Sequence, residues 1–249
     1  MAEGSLGAAA VDAPGLQLSG DHRLLHHDAL SLAPLLLGAR LTVSNGVDTV
    51  AVRLSEVEAY LGPADSPAPD PGSHSYRGRT ARNAVMFGPP GHLYVYFTYG
   101  MHYCANLVCS AEGTASGILF RAGEVIAGLE VARSRRPAAR RDADLASGPA
   151  RLASALGLDR SANGTAVTTE DAAPRNAAGA APEGGLRVSL VLADPLPLAV
   201  VSGPRVGVAG PGGGPEYPWR FWIDGDPTVS RYRPAKPRPA SPRRLAQGQ

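Results

Sequence analysis

The stretch LYVYFTYGMHYCAN, residues 93–106, constrains this chain more than any other. It gathers Tyr94, Tyr96, Phe97, Tyr99 and Tyr103 in one short window of a protein in which only 6% of residues are aromatic. Tyr94, Tyr96 and Thr98 alternate with Val95 and Phe97, so a β-strand puts the two tyrosines on one face. Tyr99-Gly100 then reads as a turn that carries an aromatic ring to the tip of a hairpin. Such a face serves either as one side of a packed core or as a stacking platform with a protruding wedge that holds or replaces a base.

The preceding residues supply a second hairpin. Asn45-Gly46 is flanked by strand patterns over 41–44 and 47–59, the strongest short hairpin signal. In the second strand Val50, Val52 and Leu54 face one way and Thr49, Ala51, Arg53 and Ser55 the other, and it ends on Glu56, Val57, Glu58, Ala59 and Tyr60. Carboxylates at a strand end sit where a scaffold presents chemistry to a cleft. A helix is expected over 32–37, capped by Ser31, with Pro34 in its first turn and Gly38 closing it. Residues 63–78 form a Pro/Asp/Ser/Gly-rich loop that carries His74 and leads to Arg77, Arg79, Arg82 and Asn83. Further strands are expected over 117–121, 186–192, 200–201, 205–208 and 219–223. Helices are expected over 128–136 and 149–156, the latter with Pro149 in the favoured first position. The run Arg133, Arg135, Arg136, Arg140 and Arg141 either contacts phosphates or faces water.

With 249 residues, 44% hydrophobic and 18% charged, one sizeable core is expected. The division is an Ala/Gly-rich disordered lead-in over 1–22, one domain over 23–230 with a long loop and one short strand at 159–185, and a basic disordered tail over 231–249. A net charge of +2 does not by itself announce a nucleic-acid binder. Cys104 and Cys109 lack metal-hook spacing and fit a reduced cytosolic protein. No apolar run approaches the roughly 18 residues of a membrane span, and the acidic start does not suit a secretion signal. His26, His27, Asp28 and His74 have no metal-ligand spacing, and no phosphate-cradling loop, dinucleotide fingerprint or nucleophile elbow occurs. What remains is Glu56, Glu58, His74 and Arg121: a carboxylate at a strand end, held by an arginine, can take a proton from water. Paired carboxylates also suit a sugar-directed glycosidase, but two positions apart on one strand face they repel, so one of them is structural.

These residues carry a resemblance. SEVEAYLGPAD, SHSYRGRTARN, MFGPPGHLYVYFTYGMHYCANLV, ILFRAGE, SGPARLASALGL and RVGVAG, in that order over about residues 30–230, resemble the alkyladenine (3-methyladenine) DNA glycosylase family. The resemblance implies an α/β fold of the α+β type: a single compact domain with a curved antiparallel sheet, flanking helices and a protruding hairpin that enters DNA. It implies that Glu58 is the general base, with Arg121 and the backbone carbonyl of Val206 helping to hold the attacking water. Tyr60, His74 and Tyr96 would stack on an extruded base, Asn106 would crowd the amino group of normal guanine, and Tyr99 would fill the gap in the duplex. Arg79, Arg82 and Met101 would touch DNA. The expected partner is double-stranded DNA containing damaged purines, with no cofactor, metal, nucleotide or membrane, for a monomer in a bacterial-type cytoplasm. The runner-up is a catalytically silent damaged-DNA-binding module, and a carbohydrate hydrolase is third. The chain departs from the family pattern in its PAPDP loop, in Ala81 where the family has proline, and in His102 beside the wedge.

Overall fold

The computed structural model describes residues 9–10, 22–98, 100–169, 185–195 and 199–235. In chain order its elements are β1 (Ala9–Ala10), α1 (Ala29–Leu32), β2 (Arg40–Ser44), β3 (Thr49–Tyr60), β4 (Leu93–Thr98), β5 (His102–Cys109), β6 (Ser116–Ala127), α2 (Leu129–Arg135), α3 (Pro149–Leu156), β7 (Val167–Thr168), β8 (Arg187–Val191), β9 (Val200–Gly203) and β10 (Arg220–Ile223). All the strands belong to one curved sheet, antiparallel except for the β7–β8 pair. This is the mixed α/β single domain that the resemblance implies.

The sheet branches at β3. One edge of β3 pairs with β6 along its length, while the other pairs with β2 over its first half and with β10 over Glu56–Glu58. Both faces of β3 are therefore covered, and every residue from Leu54 to Ala59 is buried. The alternation that separates Val50, Val52 and Leu54 from their neighbours stops marking inside and outside where the second layer closes over. Between β3 and β6 the register steps three times, once between Ala51 and Val52 and twice around Glu56, from Leu54↔Gly123 to Glu56↔Ala122 and then to Val57↔Phe120. Ser55 and Arg121 are the residues skipped, and bulges of this kind re-aim side chains.

Local chemistry explains the departures from the sequence expectations. The α1 cap is Asp28, not Ser31: its carboxylate accepts from the amides of Leu30 and Ser31 at 2.9 and 3.0 Å and from the Ser31 hydroxyl at 2.8 Å. A charged acceptor outcompetes a hydroxyl for these free amides. The helix then tightens into a 3₁₀ turn at Ala33–Leu36, where Pro34 fits the first turn. The Asn45-Gly46 connection spans four residues, because Ser44 pairs with Thr49 and Asn45 Oδ1 accepts from the Val47 and Asp48 amides at 3.0 and 2.7 Å. Residues 205–208 are not a strand: the Arg205 side chain is buried and the chain turns at Val206 and Gly207.

The core lies between the sheet and the helices, with Leu32, Leu36, Leu41, Val52, Leu54, Phe120, Leu152 and Leu156 at its centre. A satellite cluster of Met86, Tyr94, Val108 and Ala115 sits under β4. α3 has the bounds that the sequence predicts, and Gly157 at φ 73° ends it. Most of the arginines expected to meet phosphate or water are paired with acids: Arg133 with Asp142, Arg135 with Asp48 and Arg141 with Asp144. In the expected loop, β7 pairs with β8, and residues 170–184 lie outside the described residues. Ala9–Ala10 pair with β9, and the start of the basic tail is held where the Gly207 amide donates to the Arg233 carbonyl at 2.9 Å.

Candidate active site

Glu58 lies two residues from the end of β3, fully buried. Its Oε1 accepts from the amide of Val206 at 2.6 Å, and its Oε2 accepts from the Tyr60 hydroxyl at 2.8 Å. Arg121 Nη1 lies 3.3 Å from the same Oε2. The carboxylate is thus oriented by three donors from three separate segments. The resemblance assigns a role to the Val206 carbonyl; the contact with Glu58 is made by the Val206 amide.

Glu56, two positions back on the same face, is the structural member of the pair. Its Oε1 accepts from Arg121 Nε at 2.8 Å and from Arg220 Nε at 2.6 Å, while Oε2 accepts from the Ser230 amide at 2.8 Å. Burial disfavours the Glu56 charge, but Arg121 and Arg220 outweigh it and hold the carboxyl below its usual range. Burial likewise works against the Arg121 cation, and Glu58 and Glu56 more than compensate, raising its hold on its proton. The bulge at Arg121 makes this possible, because the skipped residue aims its guanidinium between the two carboxylates.

Glu58 opens onto a cavity of about 610 Å³ whose lining includes Tyr60, His74, Tyr96, Asn106, Arg121 and Val206. All seven sequence-predicted catalytic and base-binding residues therefore meet in one place. The Tyr94 and Tyr96 rings stack at 5.5 Å, and the His74 ring meets Tyr96 edge-on at 4.5 Å. Tyr94 is 1% exposed and belongs to the satellite cluster, so the shared face leaves the core between Tyr94 and half-buried Tyr96. Burial and the Glu58 charge push the Tyr60 phenol well above its usual value, so it stays a donor to Glu58. Burial, the Cys104 thiol and Glu58 do the same to Tyr96. Burial and Arg82 lower the His74 imidazole, which keeps a neutral ring at the cavity wall. Asn106, opposite Tyr94 in the β4–β5 register, donates to the Tyr94 carbonyl at 3.2 Å.

The outlying predicted residues do not line this cavity. Arg79 is exposed, and Arg82 donates to the Phe97 carbonyl at 3.1 Å, bracing the hairpin stem. Met101, beside the turn, is 70% exposed. Tyr99 lies outside the described residues.

Several residues of the site carried no local signal. Asn83 accepts from the Thr80 amide at 2.7 Å and donates to the His74 and Gly78 carbonyls at 3.0 and 3.1 Å, which holds the loop bearing His74. Asp70, within the proline-rich loop, forms a two-pronged pair with Arg205 at 2.6 and 2.7 Å. Met86, Cys104 and Pro149 also line the cavity. Among the described residues no group of His, Cys, Asp and Glu could hold a metal ion, and no helix is long and apolar enough to cross a membrane.

Residues 23–227 match the family model described as methylpurine-DNA glycosylase. A protein of Streptomyces avermitilis is 56% identical over 210 residues, which cover 84% of this chain and 89% of that one. One of Nocardia farcinica is 52% identical over 207 residues, covering 83% and 88%. One of Leifsonia xyli subsp. xyli is 46% identical over 209 residues, covering 82% and 88%. All three are named as inferred 3-methyladenine DNA glycosylases.

Proposed function

The chain belongs to the methylpurine-DNA glycosylase family, and from that premise we propose that it flips alkylated or deaminated purines out of duplex DNA and hydrolyses their N-glycosidic bond. The observation that carries the reading is the buried Glu58 carboxylate at the wall of an aromatic cavity of about 610 Å³, a size suited to one nucleoside. The coarser statement, a DNA glycosylase for alkylated bases, agrees with the family and with the names of its relatives.

Breaking an N-glycosidic bond builds positive charge on the sugar, and a fixed carboxylate both offsets that charge and deprotonates the attacking water. In this reading Glu58 is the general base. Val206 N–H, Tyr60 O–H and Arg121 keep it aimed, and the Val206 carbonyl helps to hold the water. Alkylation at N3 or N7 makes the purine cationic, so the electron-rich faces of Tyr60 and Tyr96 favour damaged bases over neutral ones. His74 completes the wall, and Asn106 crowds the amino group of guanine. Extrusion costs a few kcal/mol, least for damaged or mispaired bases, which adds selectivity before chemistry begins. Tyr99 at the hairpin tip fills the vacated stack, while Arg79, Arg82 and Met101 meet the duplex. A covalent lyase step needs an amine. The chain's sole lysine, Lys236, is in the tail, so the product is an intact abasic site. The protein would act as a monomer in a bacterial cytoplasm.

The test uses duplexes carrying one hypoxanthine, 1,N6-ethenoadenine or 3-methyladenine, followed by alkaline cleavage of abasic sites. Wild type is expected to release at least one of these bases. Glu58→Gln should slow release by about 10²–10⁴-fold, the usual contribution of a general base, while still binding the duplex. Release from none of the substrates sinks the glycosylase reading. Tight lesion binding without release would instead leave the silent recognition module.

A further inference from the structure

We propose that Arg205 is a positioning residue for base excision, a single buried fork that sets the spacing between Glu58 and the walls that hold the base. The inference rests on the glycosylase reading above and goes beyond it in assigning a role to a residue that does not line the cavity.

Arg205 is 1% exposed and the largest fully buried side chain among the described residues. Nη1 donates to the Ala59 carbonyl at 3.0 Å and to Asp70 Oδ2 at 2.6 Å. Nη2 donates to Asp70 Oδ1 and to the Gly212 carbonyl, both at 2.7 Å, and Nε also reaches Gly212 at 3.2 Å. Its guanidinium lies 4.5 Å over the Tyr60 ring and 5.0 Å over that of Trp219.

Ala59 and Asp70 do not line the cavity themselves but stand beside residues that do. Ala59 is the residue between Glu58 and Tyr60 on β3. Asp70 also accepts from the Leu61 and Gly72 amides at 3.0 and 2.8 Å, fixing the loop that carries Gly72 and His74 to the cavity. Val206, whose amide sits on Glu58, is the next residue after Arg205 in the chain. One face of Tyr60 is covered by the guanidinium, so a stacking purine has only the opposite face. The two loops meet tightly here: a Cβ added at Gly212 would run into the Gly72 backbone. A planar fork with five fixed donors can hold three segments at once, which a lysine cannot. Near-attack geometry is sensitive at this scale, since a misplacement of about 1 Å costs about a hundredfold in rate.

The experiment compares wild type with Arg205→Met, Arg205→Lys and Asp70→Asn on whichever lesion duplex wild type cuts fastest. Titration with a duplex containing a tetrahydrofuran abasic analogue counts the molecules able to bind. Single-turnover excision at saturating enzyme is then divided by that count, and ethenoadenine fluorescence reports stacking. Positioning predicts that the binding-competent fraction of Arg205→Met cuts about a hundredfold more slowly, with altered ethenoadenine fluorescence and only partial recovery in Arg205→Lys. A purely structural role predicts fewer competent molecules or a lower melting temperature, with the competent ones cutting at the wild-type rate; that result overturns the proposal. Should Arg205→Met not fold, Asp70→Asn decides on the same readouts, and failure of both to fold assigns the pair to stability alone and also overturns it. An inactive wild type is the separate outcome that sinks the glycosylase reading together with this one.

Discussion

At the scale of single residues, the site divides its two carboxylates by their partners. Glu56 is gripped by Arg121, Arg220 and Ser230, whereas Glu58 faces the cavity. Because the folded Glu56 carboxyl titrates below its ordinary value, its contribution to stability is complete above about pH 4.3 and is lost as the pH falls further. Acid unfolding followed by circular dichroism should therefore be steeper in wild type than in Glu56→Gln. At neutral pH the variant should be about 3–5 kcal/mol less stable, since it leaves the buried Arg220 without its anion and Arg121 with Glu58 alone. Equal acid slopes in the two proteins would contradict this role. Cys104 and Cys109 are free and buried, packed as small apolar residues. Burial pushes the Cys109 thiol up to about 12 and also raises Cys104. Native protein at pH 8 should thus react slowly with a chromogenic disulfide and rapidly once unfolded; fast reaction of both thiols in the native state would speak against the burial.

At the scale of elements, the β3–β6 pair is where the fold makes the site. Its two register steps around Glu56 free Ser55 and Arg121 from the ladder; Ser55 accepts a hydrogen bond from Thr228 at 2.7 Å, and Arg121 turns toward the carboxylates. Gly123, next to these steps, lies where a side chain would run into Val52 and the Arg53 carbonyl. Gly123→Val is expected to destabilise the protein by about 1–3 kcal/mol or more through overpacking. It should also lower excision by disturbing Arg121. Urea titration and single-turnover rates measure the two effects, and a stability equal to wild type would mean that this edge is looser than the geometry implies. The β4–β5 hairpin is simpler. Its alternation was legible from residues 93–106, and Tyr94 and Tyr96 share a face as expected. Where that face leaves the core depends on the satellite cluster under β4, which brings Met86 and Ala115 from other segments against Tyr94 and Val108 of the hairpin.

At the scale of the whole molecule, the C-terminal segment ties the sheet to the loop beside Glu58. Arg121 donates to Ser230 Oγ at 3.1 Å, Arg220 to its carbonyl at 2.9 Å, and the Gly207 amide to the Arg233 carbonyl at 2.9 Å. Beyond Ser230 the chain carries Arg231, Arg233, Lys236, Arg238, Arg243 and Arg244 with no acid among them. With a net charge of only +2, this acid-free run gathers six of the chain's 24 Lys and Arg residues. Truncation after Ser230 should weaken duplex binding and flatten its salt dependence by about 0.9 in log–log slope for each phosphate that the tail neutralises. Fluorescence anisotropy across a salt series reads this directly, and an unchanged slope would remove the tail from the DNA interface.

The sequence by itself determined whatever depends on near neighbours. α3 begins at Pro149 and ends before Gly157, β8 follows its hydrophobic run, and the aromatic hairpin follows its alternation, because capping and strand faces are decided within a few residues. Resemblance across the whole chain named Glu58, Arg121 and the cavity walls before any geometry was at hand. Tertiary structure alone decided what holds the buried Glu56 carboxylate, bringing Arg121, Arg220 and Ser230 to it, and turned Arg205 from an expected strand residue into a buried anchor. Arg205 and Asp70 stand 135 residues apart, and no local pattern marks either. A buried charge declares its role only when folding removes the water around it and leaves its partners as the sole means of satisfying it.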